Sequence, residues 1–260
     1  MNNSCLVTFF YPGIEKKINK FFKCIKSQSD IKFDLLIFFN NKKNFLIPKN
    51  IFKIKIIKFN SSIINSRFYM LKKLKKLKYK NYIFQDADDL MKSNRVEISK
   101  NLLRKHNVII NDLDIYGGKI INNYLSKRIK PKSIITAKDI LNYNFCGMSN
   151  TALRSKCLKK ISIPNSNEIK IFDWYFWTII LSKYEAFFTN DTTTKYFVNR
   201  KSATHLPSLN NKKIMLKILN IKKNHKQKIK ELIERKKIIN INVLKESKIS
   251  QNKKCNFWWE

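Results

Sequence analysis

Through the first half of the chain, short runs of consecutive apolar side chains alternate with stripes of helical period, and few architectures accommodate that order. The run "CLVTFFYP" (5–12) reads as a strand buried on both faces, stopped at Pro12-Gly13. Ile14, Ile18, Phe21, Phe22 and Ile25 then share one helical face. "FDLLIFFNN" (33–41) is a second unbroken apolar strand, as expected inside a parallel sheet covered on both sides. "IFKIKIIKF" (51–59) alternates apolar residues with lysine and predicts a third, more exposed strand. Residues 61–78 form a helix with Ile64, Phe68, Leu71, Leu74 and Leu77 on its apolar side, and "NYIFQ" (81–85) is a fourth strand. "SNRVEISKNLLRKH" opens a helix in which Glu97 answers Ser93 or Asn94 in a capping box, and "NVIINDLDIYGG" is a fifth strand. Alternation of this kind predicts an α/β domain, a Rossmann-type, mostly parallel sheet flanked by helices. Ligands of such sheets bind at the carboxyl ends of the strands.

The second half is less regular. "FCGMSNTALRSKCLKKI" (145–161) reads as a glycine-containing turn before a helix, 171–184 as an aromatic helix and "AFFT" as a short strand, followed by "KYFVNRKSATHL" (195–206). From residue 210 the chain becomes lysine-rich and helical, with Ile214, Leu216, Ile218, Leu219, Ile221, Ile229, Leu232 and Ile233 as a discontinuous apolar face. At 260 residues and 43% hydrophobic, the chain can bury one large core or two closely joined halves. No run of eighteen apolar residues exists, and "MNNSCLVTFFYP" has neither the basic start nor the length of a signal peptide, so a cytoplasmic location is expected. Cys5, Cys24, Cys146, Cys157 and Cys255 form no CxxC pair and are expected to be free thiols.

Charge narrows the partners. Lys and Arg number 54 against 18 Asp and Glu, for a formal +36, yet only seven of the basic residues are arginine. Lys, Ile and Asn together are what an AT-rich genome encodes by default, so base composition and an anionic partner both remain open as explanations. Lysine with so little arginine is the weaker sign of a nucleic-acid reader. Anionic lipid headgroups are the preferred partner class, and "NFWWE" near the C-terminal end adds interfacial tryptophans.

Against this basic background, "FQDADDLMKSNRVE" (84–97) sets Asp86, Asp88 and Asp89 within four positions, directly after the fourth strand. Carboxylates this close repel unless a cation or a helix N-terminus meets them. In an extended segment residues two apart project to one side, so Asp86 and Asp88 can face one ion. Magnesium or manganese takes one or two carboxylates and fills its other positions with water and phosphate oxygens, which suits a metal–diphosphate site. The plain alternative is an acid opening a turn. Leu90 stands where a D-x-D-x-T phosphatase needs threonine, and the chain has neither a P-loop nor a G-x-G-x-x-G turn.

With strand, helix, strand and "YIFQDADDL" in order, residues 5–205 resemble the family 2 glycosyltransferases of GT-A fold. "LVTFFYP", the helix ending in Ser-x-Gln and "FDLLIFFNN" are similar to the family's opening, which implies nucleotide contacts from Phe10, Tyr11 and Asn40. Where the family ends its second strand in a pair of acids, this chain has Asn40-Asn41. Arg67 falls where the family reaches the nucleotide with arginine. Asp86-Ala87-Asp88 resembles the metal and diphosphate motif, and Asp89 its frequent third acid. "IFDWYFW" resembles the segment carrying the catalytic base, which implies that role for Asp173; a helix cap is the alternative, and Glu168 the substitute. Asp173 is also the only acid in an apolar, aromatic stretch, where desolvation raises a carboxyl pKa and suits it to accept a proton. "YFVNRKSATH" resembles a late segment closing over the diphosphate, which implies Arg200 there and His205 as a metal ligand.

The resemblance implies residues 1–105 as a nucleotide-sugar-binding half and 106–209 as an acceptor-binding half, and composition sets off 210–260 as a basic helical extension. It implies an inverting transferase that uses Mn2+ or Mg2+, takes a nucleotide-sugar donor and a glycan or lipid-linked acceptor, and works in bacterial surface-glycan or lipopolysaccharide assembly. The extension is expected to touch an anionic membrane peripherally, at the inner face. The competing readings are a basic protein binding nucleic acid or anionic membrane, in which the acids are turn residues, and a nucleotidyltransferase, for which "YPGIEKK" supplies too few glycines.

Overall fold

β1 (Ser4–Phe10) is buried along its whole length, so both its faces need cover, and helices supply it on each side. The structure is a computed structural model and describes residues 2–40, 47, 52–116, 120–161, 169–198 and 212–235. After β1 come α1 (Glu15–Lys26), β2 (Asp34–Asn40), β3 (Ile54–Phe59), α2 (Ile63–Lys76), β4 (Asn81–Phe84), β5 (Leu90–Met91), α3 (Arg95–Leu102) and β6 (Val108–Tyr116). The second half adds β7 (Ile134–Ile135), α4 (Ala137–Ile140), β8 (Thr151–Arg154), α5 (Ser155–Lys159), α6 (Phe172–Leu181), β9 (Ala186–Phe197) and α7 (Lys212–Glu234).

All nine strands share one sheet, ordered β3-β2-β1-β4-β8-β6-β9-β5, with β7 also paired to β9. β3, β2, β1 and β4 run parallel, as do β6 and β9. β8 lies antiparallel between β4 and β6, and β5 and β7 are antiparallel to β9. Most strands therefore point the same way. Strand periodicity sorts the side chains into two cores: Cys5, Val7 and Phe9 join α2, α6 and α7 on one face, while Leu6 and Phe10 join α1 and α3 on the other.

Three sequence expectations change. "AFFT" is only the start of β9, which runs on to Phe197 after a register shift that leaves 190–192 out of the pairing with β6. The turn-and-helix reading of 145–161 missed β8, whose four residues are too few to show a period. No capping box forms at α3: Asn94 makes no side-chain cap, and Glu97 instead accepts a hydrogen bond from Ser29 Oγ at 2.6 Å. Glu168, Arg200, His205, Cys255 and the terminal tryptophans lie outside the described residues.

α7 packs its later turns on α6. Ile229 and Leu232 are buried, whereas Leu216 and Leu219, expected on the same apolar face, are 55% and 56% exposed. The buried face follows 221, 225, 229 and 232, and the two leucines fall on the opposite side. His225 seals this contact, its ring stacked on Trp174 at 3.9 Å and its Nε2 3.2 Å from Thr178 Oγ1. Burial, helped by nearby Lys226, lowers its pKa from 6.5 to about 3. The unfolded chain thus gains a proton here before the folded one does, so this ring's contribution to stability is complete above about pH 6.5 and is lost as pH falls towards about 3. His225→Phe, which keeps an aromatic ring on Trp174, is expected to flatten the decline in denaturant midpoint across that window; an unchanged slope would refute the assignment.

Candidate functional site

The parallel strands bring their carboxyl ends to one edge, and a cleft of about 300 Å3 opens there. Tyr11 enters it from the end of β1, and Asp86, Asp88 and Asp89 from the turn after β4. Arg67 reaches it from α2, whose start is capped by Ser62 Oγ accepting from the Asn65 N–H at 3.3 Å. Asp173 comes from the first turn of α6. Segments far apart in sequence thus converge on one space.

Arg67 organises one side. Its guanidinium donates to Asp86 Oδ1 at 2.8 Å and lies 3.9 Å over the Phe9 ring. Burial pulls its pKa down, but the charges of Asp86 and Asp173 outweigh that and leave it above its ordinary value. Asp86 Oδ2 lies 3.2 Å from Ser149 Oγ, whose single hydroxyl proton lies between Asp86 and Asp89. Asp88 has partners of its own. Lys17 Nζ stands 3.7 Å away and the Tyr11 hydroxyl donates to it. Burial and the neighbouring Asp86 charge raise Asp88 despite both partners.

Asp89 is the buried member of the cluster, with 2% of its surface exposed. It accepts from Ser149 Oγ and from the Phe197 N–H at 2.9 Å, tying the end of β9 to the acidic turn. Burial, then the charges of Asp88 and Asp86, push its pKa well above the usual carboxylate range. Asp173 is raised to about 6: burial and Asp86 push it up, while Arg67 and a hydrogen bond from the Met148 N–H hold it down. Asn144 Oδ1, on the same wall, is buried without a hydrogen-bond partner among the described residues.

No protein-family model matches the sequence, and no curated protein sequence matches it. Solved structures do. The Staphylococcus aureus TarS 1-349 complex with UDP-GlcNAc superposes with a TM-score of 0.59 at 15% identity, covering 92% of this chain and 74% of that one. Its UDP complex gives 0.57 at 14%, covering 77% and 61%. The mannosyltransferase PcManGT from Pyrobaculum calidifontis, with GDP-Man and Mn2+, gives 0.53 at 10%, covering 77% and 58%. The chain has the GT-A fold. It spans less than two thirds of PcManGT and of the TarS fragment in its UDP complex.

Within the GT-A fold, the expected residues sort as follows. Tyr11, Arg67, Asp86, Asp88, Asp89 and Asp173 line the cleft together. Phe10 does not. Strand alternation turns it to the α1 side against Phe21 and Phe22, and Phe9 takes its place on the cleft wall. Ala87 is likewise buried in the α1-side core. Asn40 ends β2, and its side chain lies outside the described residues, as do Arg200 and His205.

One contributor escaped the sequence reading, and a second works from behind the acids. Ser149 bridges Asp86 and Asp89, and no motif marks a serine in "CGMSN". Arg95, fully buried, binds Gln85 Oε1, the Phe84 carbonyl at 2.8 Å and Asn111 Oδ1 at 2.8 Å, fixing the strand end from which the acids emerge.

Divalent metal appears in the PcManGT structure and in that of GalNAc-T7 with UDP, GalNAc and Mn2+. Among the described residues no three acid, His or Cys side chains gather as a complete ligand set. An ion shared with phosphate oxygens needs only one or two carboxylates, and Asp88, still raised by burial and by Asp86 although Lys17 stands 3.7 Å away, fits that role. Arg67→Gln is expected to raise Asp173 above about 6, because it removes a cation that holds the carboxyl down. Carboxyl-carbon NMR titration reads this directly, and an unmoved or lowered value would contradict the electrostatic assignment.

Proposed function

We propose that the chain is a glycosyltransferase that moves a sugar from a nucleotide-diphosphate donor to an acceptor hydroxyl with inversion. One observation carries the reading: a single cleft at the carboxyl ends of the parallel strands is lined by Asp86 and Asp88, by Arg67 and, from α6, by Asp173. The GT-A fold and its glycosyltransferase neighbours with UDP-GlcNAc or GDP-Man support the same reading.

On this reading the donor diphosphate lies against Arg67 and the Asp86–Asp88 turn. Asp88, backed by Asp86, would hold Mn2+ or Mg2+ jointly with the diphosphate oxygens. When bound, such an ion supplies charge neutralisation of the departing diphosphate. Arg67 remains paired to Asp86, so it orients the turn and adds positive charge where the leaving group develops negative charge.

Asp173 acts as the base. Its carboxylate takes the proton of the acceptor hydroxyl as that oxygen bonds to the anomeric carbon, from the face opposite the leaving group. The bond between that carbon and the diphosphate oxygen breaks, and the nucleoside diphosphate leaves with the electron pair. A base with a pKa near 6 is mostly ionised at neutral pH and still accepts a proton readily. The cleft wall contributed by Leu113, Phe145, Met148, Ile171 and Tyr196 is largely apolar, which supports a glycan or lipid-linked acceptor bearing an apolar face.

Calorimetric titration with UDP, GDP, CDP and dTDP, with and without Mn2+, tests the donor site. One nucleotide is expected to bind in the micromolar range with metal, and Asp88→Asn to lose that binding; no binding to folded protein would sink the reading. Asp173→Asn should retain nucleotide affinity yet reduce transfer by about 10^2–10^4-fold. In the wild type, transfer should fall as pH drops through about 6, because the base must be ionised.

A further inference from the structure

We infer that the outer face of α7 is a docking surface for an anionic lipid bilayer. The surface stands on its own observations and does not depend on the transferase reading.

α7 has two faces with different tasks. Its inner face, through His225, Ile229 and Leu232, is spent on the core and on α6, which fixes the helix to the body of the protein. Its outer face carries Leu216, Leu219, Asn220, Lys223, Gln227 and Lys230, all exposed. Leu216 and Leu219 are 55% and 56% exposed and sit one turn apart, three residues from each other, so they project together. The helix has eight lysines between residues 212 and 230 and no acid in that stretch; its two acids fall in the last turn, where Glu231 pairs with Lys228 at 3.0 Å and Glu234 with Lys230 at 3.8 Å.

This pairing of aliphatic side chains with lysine selects the occupant. Leucine gains nothing from a phosphodiester backbone, whereas the headgroup–acyl boundary of a membrane accepts leucine and attracts lysine together. Each lysine near an anionic bilayer strengthens association by about fivefold. A second copy of this chain is disfavoured by charge, because no acid but Glu234 would meet Lys223 and Lys230 there and the protein carries a net +36. No helix among the described residues is long and apolar enough to cross a membrane, so the contact is peripheral.

The position of the helix also matters. Ile221 shares a small cavity with Ile171, and Ile171 lines the main cleft. Lys222 Nζ lies 6.0 Å from the ring centroid of Tyr143, whose neighbour Asn144 is on the cleft wall. α7 therefore packs beside the wall of the cleft.

Vesicle flotation of the full chain tests this, with vesicles of phosphatidylcholine alone and of phosphatidylcholine mixed with phosphatidylglycerol. Flotation is expected only with the anionic vesicles, and Leu216→Ser/Leu219→Ser is expected to weaken it by about tenfold or more. Both leucines are exposed, so the variant should keep its far-ultraviolet circular dichroism and its nucleotide titration. Three results would overturn the inference: no flotation of the wild type, equal flotation of the double variant, or a dimer in sedimentation that the double variant loses. The parallel nucleotide titration reports on the cleft alone, so failure of one reading is not mistaken for failure of the other.

Discussion

A guanidinium buried without a carboxylate in contact anchors the architecture. Arg95 is fully enclosed, and its donors go to Gln85, to Asn111 and to main-chain carbonyls of Phe84 and Thr151, so a single side chain joins α3, the end of β4, β6 and the start of β8. Burial lowers its pKa to about 10, with Asp89 and Asp86 among the charges resisting that fall, and it stays protonated at neutral pH. Its charge lies behind the acidic turn. A buried cation of this kind needs negative charge near it, and a crowd of acids needs positive charge, so each makes the other tolerable.

The front of the turn is balanced less completely. Arg67 is spent on Asp86, and Lys17 stays at 3.7 Å from Asp88. Asp88, Asp89 and Asp173 all have raised pKa values, and burial is the first cause in each. This is stored electrostatic cost facing an open cleft, and a cation or a ligand bearing one would relieve it. Structural carboxylates are normally arranged to be satisfied by the protein alone; here Ser149 has one proton between Asp86 and Asp89, and Asp88 stays raised despite Tyr11 and Lys17.

The sequence displayed what is periodic and local. The buried strands β1 and β2, the helices α1 and α2 and the acidic turn all stood out, because continuous apolar runs, 3.6-residue stripes and clustered charge are visible without knowing the partner. That Phe10 lies off the cleft was not legible, because composition does not reveal which of two adjacent phenylalanines faces that edge; the pleat decides, and it sets Phe9 there. β8 was missed because four residues between a turn and a helix carry no periodic signal, and its role comes only from the two neighbours it separates. Ser149 was invisible for a related reason. Its importance lies in two carboxylates some sixty residues away, not in its surroundings in sequence. The lysine-rich helix was legible as a helix, but the side each leucine takes depends on where α6 lies.

The placement of β8 also dictates a sequence of events in folding. β3, β2, β1 and β4 are complete once residue 84 has been made, and they can pair as a parallel unit. Their next neighbour, β8, does not exist until residue 154 has been synthesised, and β6, although made earlier, joins the sheet only through β8 and β9. During that interval the hydrogen-bonding edge of β4 stays open, beside an apolar strand and with the buried arginine not yet enclosed. A nascent chain halted between those points presents a sticky edge to its neighbours. The strand that closes the sheet is thus also the one that ends its exposure to aggregation.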